Sequence, residues 1–341
     1  MASTFNNILI IGHRNIGDVL HNMALLKPLK KQYPKTNISM LTSPAGVSLL
    51  KGNPYLLDAI PFQKKKGLKG LKARLMLIQK LQKKKYDLII NIKSGSFFPY
   101  FLGFQPKWHI CKKDKSLKIK RTKHAIDIYL DTIRTHGIKA TKEDLDMKVY
   151  VTPDEKKHMR KRLVEMGYRL ENPIIVIAPF SNWHAKEWPL NHYLQLSEML
   201  ITKYRAQVIF IGGLGDIPKA NNNLPLNVMN LVGKTSLREL AALYEFTTFA
   251  IGADSGPFHL AVNQGTPALA IFGPTSHYRA RPYFTPENTV HCTKDLGCNP
   301  CIPGKNYMAC KVFDTTTPCM AAIPYEIVSN ETNLLLNSFL S

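Results

Sequence analysis

No apolar run in the sequence approaches the ~20 residues that a membrane-spanning helix needs. Acidic side chains are scarce in one half only. Residues 1–150 hold 29 Lys+Arg against 9 Asp+Glu, a surplus of 20, while residues 151–341 hold 17 against 15. The start, Met1-Ala2-Ser3-Thr4-Phe5, has no basic n-region, and the apolar stretch Asn7–Ile11 is too short for a signal sequence. A cytoplasmic location is expected, where six cysteines need not form disulfides. The glycine fingerprint G-x-G-x-x-G is missing after the first apolar segment, which argues against a nicotinamide-dependent dehydrogenase. Gly233-Lys234-Thr235 is not a phosphate loop, because Val228 stands where the first glycine of that motif belongs.

The chain that remains is an ordinary globular one of 341 residues, 45% of them apolar, long enough for two domains. Its first half alternates strands and helices: a strand at Ile8–Ile11, an amphipathic helix from Ile16 to Lys31, a strand at Ile38–Leu41 and a short helix at Pro44–Leu50. A third strand at Ala59–Pro61, a helix from Leu68 to Gln82 with Leu71, Leu75, Ile78 and Leu81 on one face and lysines opposite, and a strand at Leu88–Ile92 follow. A weaker strand near Trp108–Ile110 and a helix around Ala125–Thr135 complete the half. After Lys148–Pro153 and a polar helix at Asp154–Met166 the alternation restarts, with strands at Ile174–Ala178, Val208–Gly212, Val228–Leu231, Phe249–Gly252 and Ala268–Phe272. Helices are expected at Asn191–Tyr204, Leu237–Tyr244, just after Phe249–Gly252, and at Tyr325–Leu340. Strands alternating with helices imply parallel sheets covered on both faces. The expected fold is α/β with two doubly wound, Rossmann-like domains, 1–152 and 153–323, a C-terminal helix in 324–341, and a ligand crevice outside the carboxyl ends of the strands.

Chemistry-bearing residues cluster after those strands. Asp18 lies in the first turn of the first helix; it either complements the helix dipole or acts as general base toward a substrate hydroxyl. His21, one turn on, is expected to be packed or solvated. Ser181 and Asn182, with Lys186 close behind, could bind a diphosphate through short donors and a point charge. Gly212-Gly213-Leu214-Gly215-Asp216 allows a close approach of a nucleotide, with Asp216 accepting from ribose hydroxyls; an ordinary strand-to-helix turn is the alternative. Gly252-Ala253-Asp254-Ser255-Gly256-Pro257-Phe258-His259 reads as strand, tight turn and helix N-terminus, a setting suited to an anion; in the plainer alternative Asp254 or Ser255 caps the helix. Cys298, Cys301, Cys310 and Cys319 make a zinc-like count without the second short pair, and reduced structural thiols with no metal are expected.

Taken together, Ile16-Gly17-Asp18-Val19-Leu20-His21, Lys186-Glu187-Trp188-Pro189, Asp254 to His259, Gly265-Thr266-Pro267 and Phe272-Gly273-Pro274-Thr275 resemble glycosyltransferase family 9, the ADP-heptose heptosyltransferases of bacterial lipopolysaccharide. Cys298-Asn299-Pro300-Cys301 with Cys319-Met320 and Ile323-Pro324 resembles the family's ending. The resemblance spans nearly the whole chain. It implies a GT-B fold, an acceptor-binding first domain and a donor-binding second domain. It implies Asp18 as general base, Lys186 neutralising the donor diphosphate and Ser181 and Asn182 on phosphate. It further implies that Asp254, Ser255, Gly256, Pro257 and His259 hold the donor's sugar and diphosphate; since like charges repel, the carboxylate of Asp254 is expected to accept from sugar hydroxyls or backbone N–H groups rather than face phosphate. No cofactor is implied beyond the ADP-heptose co-substrate. The basic first half suits an anionic lipid A–Kdo acceptor and peripheral contact with the inner membrane face. A nucleic-acid-binding protein is the alternative the charge raises, but no RNA- or DNA-binding motif accompanies it.

Overall fold

The computed structural model describes residues 5–63, 67–93, 103, 107–109, 122–169, 171–221, 223–298, 301, 310 and 316–340. It divides into two compact units, Met1–Tyr150 and Val151–Ser341.

In the first unit, β1 (Asn7–Ile11), β2 (Asn37–Thr42), β3 (Asp58–Pro61), β4 (Leu88–Asn91) and β5 (Lys107–His109) form a parallel sheet in the order β3-β2-β1-β4-β5. The central strands are apolar on both faces because helices cover both; Ile8, Leu9, Ile10, Leu88, Ile89 and Ile90 are fully buried. The helices are α1 (Ile16–Asn22), α2 (Leu26–Gln32), α3 (Pro44–Leu50), α4 (Gly67–Lys83) and α5 (Ala125–Arg134). The single helix expected from Ile16 to Lys31 is instead broken by a 3-10 turn at Met23–Leu25. Pro28 explains the restart: it has no N–H to give to a continuous ladder, but fits the first turn of α2, whose N–H groups have no intrahelical acceptor.

The second unit has a parallel sheet of six strands: β6 (Ile174–Ala178), β7 (Gln207–Phe210), β8 (Met229–Asn230), β9 (Phe249–Ala253), β10 (Ala268–Phe272) and β11 (Thr289–His291). They lie in the order β11-β10-β9-β6-β7-β8. The chain builds outward from β6 through β7 and β8, then returns to the other side of β6 as β9. Loops leaving the carboxyl ends of β6 and β9 therefore diverge at a switch point, the usual place for a ligand in such sheets. At that seam Gly252 is needed for close approach, since a Cβ there would sit 2.9 Å from the carbonyl oxygen of Ala178.

Around this sheet run α6 (Pro153–Glu165), α7 (Leu190–Tyr204), α8 (Leu237–Tyr244), α9 (Gly256–Asn263) and α10 (Tyr325–Leu340). α6 opens with a complete capping box between Thr152 and Glu155. Glu155 also receives the Arg238 guanidinium, through Nε at 2.8 Å and Nη2 at 2.5 Å, which ties α6 to α8. α10 buries Val328 and Leu336 in the same core as Ile175, Phe249 and Leu269, so the C-terminal helix is part of the second unit. Among the described residues no helix is long and apolar enough to cross a membrane.

Candidate active site

In the first unit, β1 delivers the chain to Gly12 and the turn into α1. Thr42 and Ser43, at the end of β2, donate their hydroxyls to the carbonyls of His13 and Arg14 at 2.7 and 2.8 Å, fixing that turn. Buried Asn22 accepts from the His13 N–H at 2.8 Å. Asp18 stands in the first turn of α1, half-buried. The N-cap residue Asn15 makes no capping bond, so the helix terminus leaves Asp18 as its nearest acidic group. The Tyr129 hydroxyl, from α5, donates to Asp18 Oδ1 at 3.1 Å, and its ring packs 5.0 Å from that of His13. Tyr129 was not singled out in the sequence: it lies 111 residues away on an apolar helix face, with no local signal. His21 is packed and buried, its ring 5.5 Å from His124.

The second unit brings Lys186 and Asp254 together across the β6/β9 switch point. Lys186 Nζ donates to Asp254 Oδ2 at 2.6 Å and to the Asp254 carbonyl at 3.1 Å. The other carboxylate oxygen lies 2.8 Å from His259 Nε2, and the Thr275 hydroxyl after β10 donates to Oδ2 at 2.9 Å. Burial pushes the Asp254 carboxyl up, but the Lys186 ammonium and the His259 hydrogen bond outweigh it and hold it far below the usual carboxylate range. The expected facing of this carboxylate toward sugar hydroxyls thus meets a group whose oxygens are already engaged by three side chains. Its immediate work is to orient lysine.

The helix after Asp254 does not have the expected cap. Ser255 occupies the N-cap position with extended backbone, yet its side chain makes no capping bond. The Ser255 hydroxyl is buried without a hydrogen-bond partner among the described residues. Pro257 occupies the first turn, where a missing N–H costs nothing, and its carbonyl accepts from the Tyr244 hydroxyl at 2.9 Å. α9 therefore presents a fixed N-terminus with free donors.

The loop carrying Lys186 is pinned at three points. The Thr317 hydroxyl donates to the Ala185 carbonyl at 3.0 Å, and the Trp188 indole N–H donates to the Ile323 carbonyl at 2.9 Å. Glu187 accepts from the Ser181 N–H at 3.0 Å and from Lys219 Nζ at 2.8 and 2.9 Å. Ser181 Oγ accepts from the Trp183 N–H at 3.3 Å, while Asn182 is exposed. Glu187, within the quoted Lys186–Pro189 stretch, and Lys219, for which the sequence held no signal, are structural members of the site. Asp216 Oδ2 accepts from the Gly213 N–H at 2.9 Å, closing its own turn. Cys319 is buried in the core of the second unit, with its thiol 3.3 Å from the Thr317 hydroxyl, and Cys298 is exposed. Among the described residues no group of three His, Cys, Asp or Glu could hold a metal ion.

Two parallel α/β units with charged groups at the carboxyl ends of their central strands are the architecture of the GT-B glycosyltransferases, and the likeness extends over the whole chain. A glycosyltransferase family 9 protein from Veillonella parvula matches with a TM-score of 0.82, 19% identity and 99% coverage of both chains. The Escherichia coli ADP-heptose lipopolysaccharide heptosyltransferase II matches with a TM-score of 0.73 and 23% identity, over 98% of this chain and 100% of that one. In sequence, residues 74–311 match the model of glycosyltransferase family 9 (heptosyltransferase). The lipooligosaccharide heptosyltransferase 2 of Haemophilus influenzae is 31% identical over 82% of this chain and 85% of its own length. The chain belongs to glycosyltransferase family 9 and is a glycosyltransferase.

Proposed function

We propose that the chain transfers heptose from ADP-heptose to a sugar hydroxyl of the lipopolysaccharide inner core, by a single inverting displacement. Its kinship with heptosyltransferases that build that core supports the substrate class. The observation that carries the donor site is the pairing of Lys186 with Asp254 beside the uncapped N-terminus of α9.

An ammonium has three N–H donors. Two go to the carbonyl and carboxylate of Asp254, leaving the third for a phosphate oxygen. Free N–H groups of α9, made approachable by Gly256, and the Ser255 hydroxyl supply further donors to the same anion. As the anomeric C–O bond to ADP breaks, negative charge gathers on the leaving diphosphate, and this fixed array stabilises it. His259 and Thr275 hold Asp254, and Asp254 holds Lys186. Ser181 and Asn182 add phosphate contacts from the pinned loop, and Asp216, its Oδ2 bonded within its own turn, offers its other carboxylate oxygen to the ribose hydroxyls.

Asp18 is the general base. Its carboxylate takes the proton from the acceptor hydroxyl as that oxygen attacks the anomeric carbon from the face opposite ADP, and Tyr129 fixes its orientation. The reaction needs no cofactor beyond the nucleotide sugar, and the acceptor is an anionic lipid A–Kdo core that the basic first unit attracts. The enzyme works in the cytoplasm.

Incubation with ADP-heptose and a set of truncated lipid A–core acceptors, with the products weighed by mass spectrometry, tests the reading. One acceptor should gain a single heptose residue. Release of ADP with no acceptor gaining mass, or transfer only from a different nucleotide sugar, would overturn it.

A further inference from the structure

α4 carries a surface that neither the core nor the transfer chemistry uses. Between residues 67 and 85 there are seven basic residues and no acidic one. Helical spacing sorts α4 into two faces. Leu77, Ile78 and Leu81 turn inward and pack with Leu9, Tyr86 and Ile89. Lys72, Leu75, Met76, Gln79, Lys80 and Lys83, spaced at i, i+3, i+4, i+7, i+8 and i+11, share the opposite face and are all exposed. Leu75, expected on the apolar face, instead lies among the lysines and is 53% exposed, because the inward face runs through Leu77, Ile78 and Leu81; Met76 is 60% exposed. Lys84, at the margin, is held to Asp58 at 2.6 Å; Lys72, Lys80 and Lys83 have no such partner among the described residues.

We propose that this face of α4 docks the first unit onto an anionic lipid bilayer. Lys72, Lys80 and Lys83 lie against the phosphate headgroups, and Leu75 and Met76 enter the interfacial layer between them. Cations alone would suit any polyanion. Two large aliphatic side chains set among those cations, with no aromatic ring for base stacking, suit a lipid surface and not a nucleic acid. Each lysine near an anionic surface strengthens partitioning about fivefold, and the gain fades as salt shortens the screening length.

Co-sedimentation of the full-length protein with phosphatidylcholine vesicles, with and without phosphatidylglycerol, tests this directly. It requires neither donor nor acceptor, so it stands or falls apart from the transfer reaction. The wild type should bind the phosphatidylglycerol vesicles, release in high salt and ignore pure phosphatidylcholine. The Lys72→Gln/Lys80→Gln/Lys83→Gln variant should bind about a hundredfold more weakly, three fivefold losses compounding. The Leu75→Ser/Met76→Ser variant should lose at least about tenfold while keeping its salt sensitivity. All five positions are exposed, and far-UV circular dichroism checks folding; Leu75→Ala/Met76→Ala replaces the serine variant should its helix content fall. Equal binding by the apolar variant and wild type, no preference for phosphatidylglycerol, or tighter binding to duplex DNA than to the vesicles would overturn the proposal.

Discussion

Asp254 and Lys186 form the kind of buried pair in which each charge depends on the other. Their side chains are 9% and 16% exposed, and removing one partner of such a pair typically costs more than the pair contributes. Lys186→Ala should therefore act twice: donor binding and transfer weaken together, and stability falls by about 3 kcal/mol. Adding Asp254→Asn to Lys186→Ala should restore part of the stability and none of the transfer, which separates folding from chemistry in a urea titration run beside the assay. Unchanged kinetics in Lys186→Ala would remove the lysine from the mechanism. Tyr129 permits a gentler test. Tyr129→Phe keeps the buried ring and deletes the hydroxyl that bonds Asp18. The turnover rate should fall about five- to tenfold, with the KM for the nucleotide sugar within about twofold, since the donor site is assigned to the other unit. A raised donor KM with unchanged turnover would contradict this positioning role.

At the scale of elements, the sequence revealed what periodicity and turn chemistry encode locally. The strands at Ile174–Ala178 and Ala268–Phe272 and the helices at Leu237–Tyr244 and Tyr325–Leu340 have the expected bounds, because each is a strong apolar pattern with clear stops. Three-residue β11 and the 3-10 break at Met23–Leu25 were not legible: such pieces are too short to show a period. Asp18, Lys186 and the Asp254 turn could be found because they follow strands in recognisable stretches. Tyr129, Thr275 and Lys219 could not be assigned to them, since their partners come from other elements and the contact exists only in three dimensions. Glu155 is a further case, a capping residue that also binds Arg238 on a distant helix. The guanidinium and the Thr152 N–H hold its carboxyl down to about 2 from the usual 4.5. The folded state thus binds a proton less readily than the unfolded one, and this contribution is complete above pH 4.5 and lost as pH falls toward 2. Glu155→Gln should cost about 1–2 kcal/mol at neutral pH and lose less stability than wild type between pH 4.5 and 2, measured by urea unfolding at a series of pH values. An acid limb identical to the wild type's would show that the Glu155–Arg238 pair does not couple α6 to α8.

For the molecule as a whole, charge and chemistry are divided between the two units. The first carries nearly all of the net positive charge and the carboxylate assigned as base; the second carries the lysine, the buried carboxylate and the helix terminus assigned to the donor. Because of that division, the carboxylate assigned as base can be removed without altering the residues assigned to the donor. Heptose transfer and ADP affinity should be measured on the same preparations of wild type and Asp18→Asn. Transfer should fall by about 10²–10⁴-fold, the range of general base catalysis, with ADP bound within about twofold of wild type. Near-normal turnover in Asp18→Asn would contradict it, leaving Asp18 as a partner of the helix dipole alone.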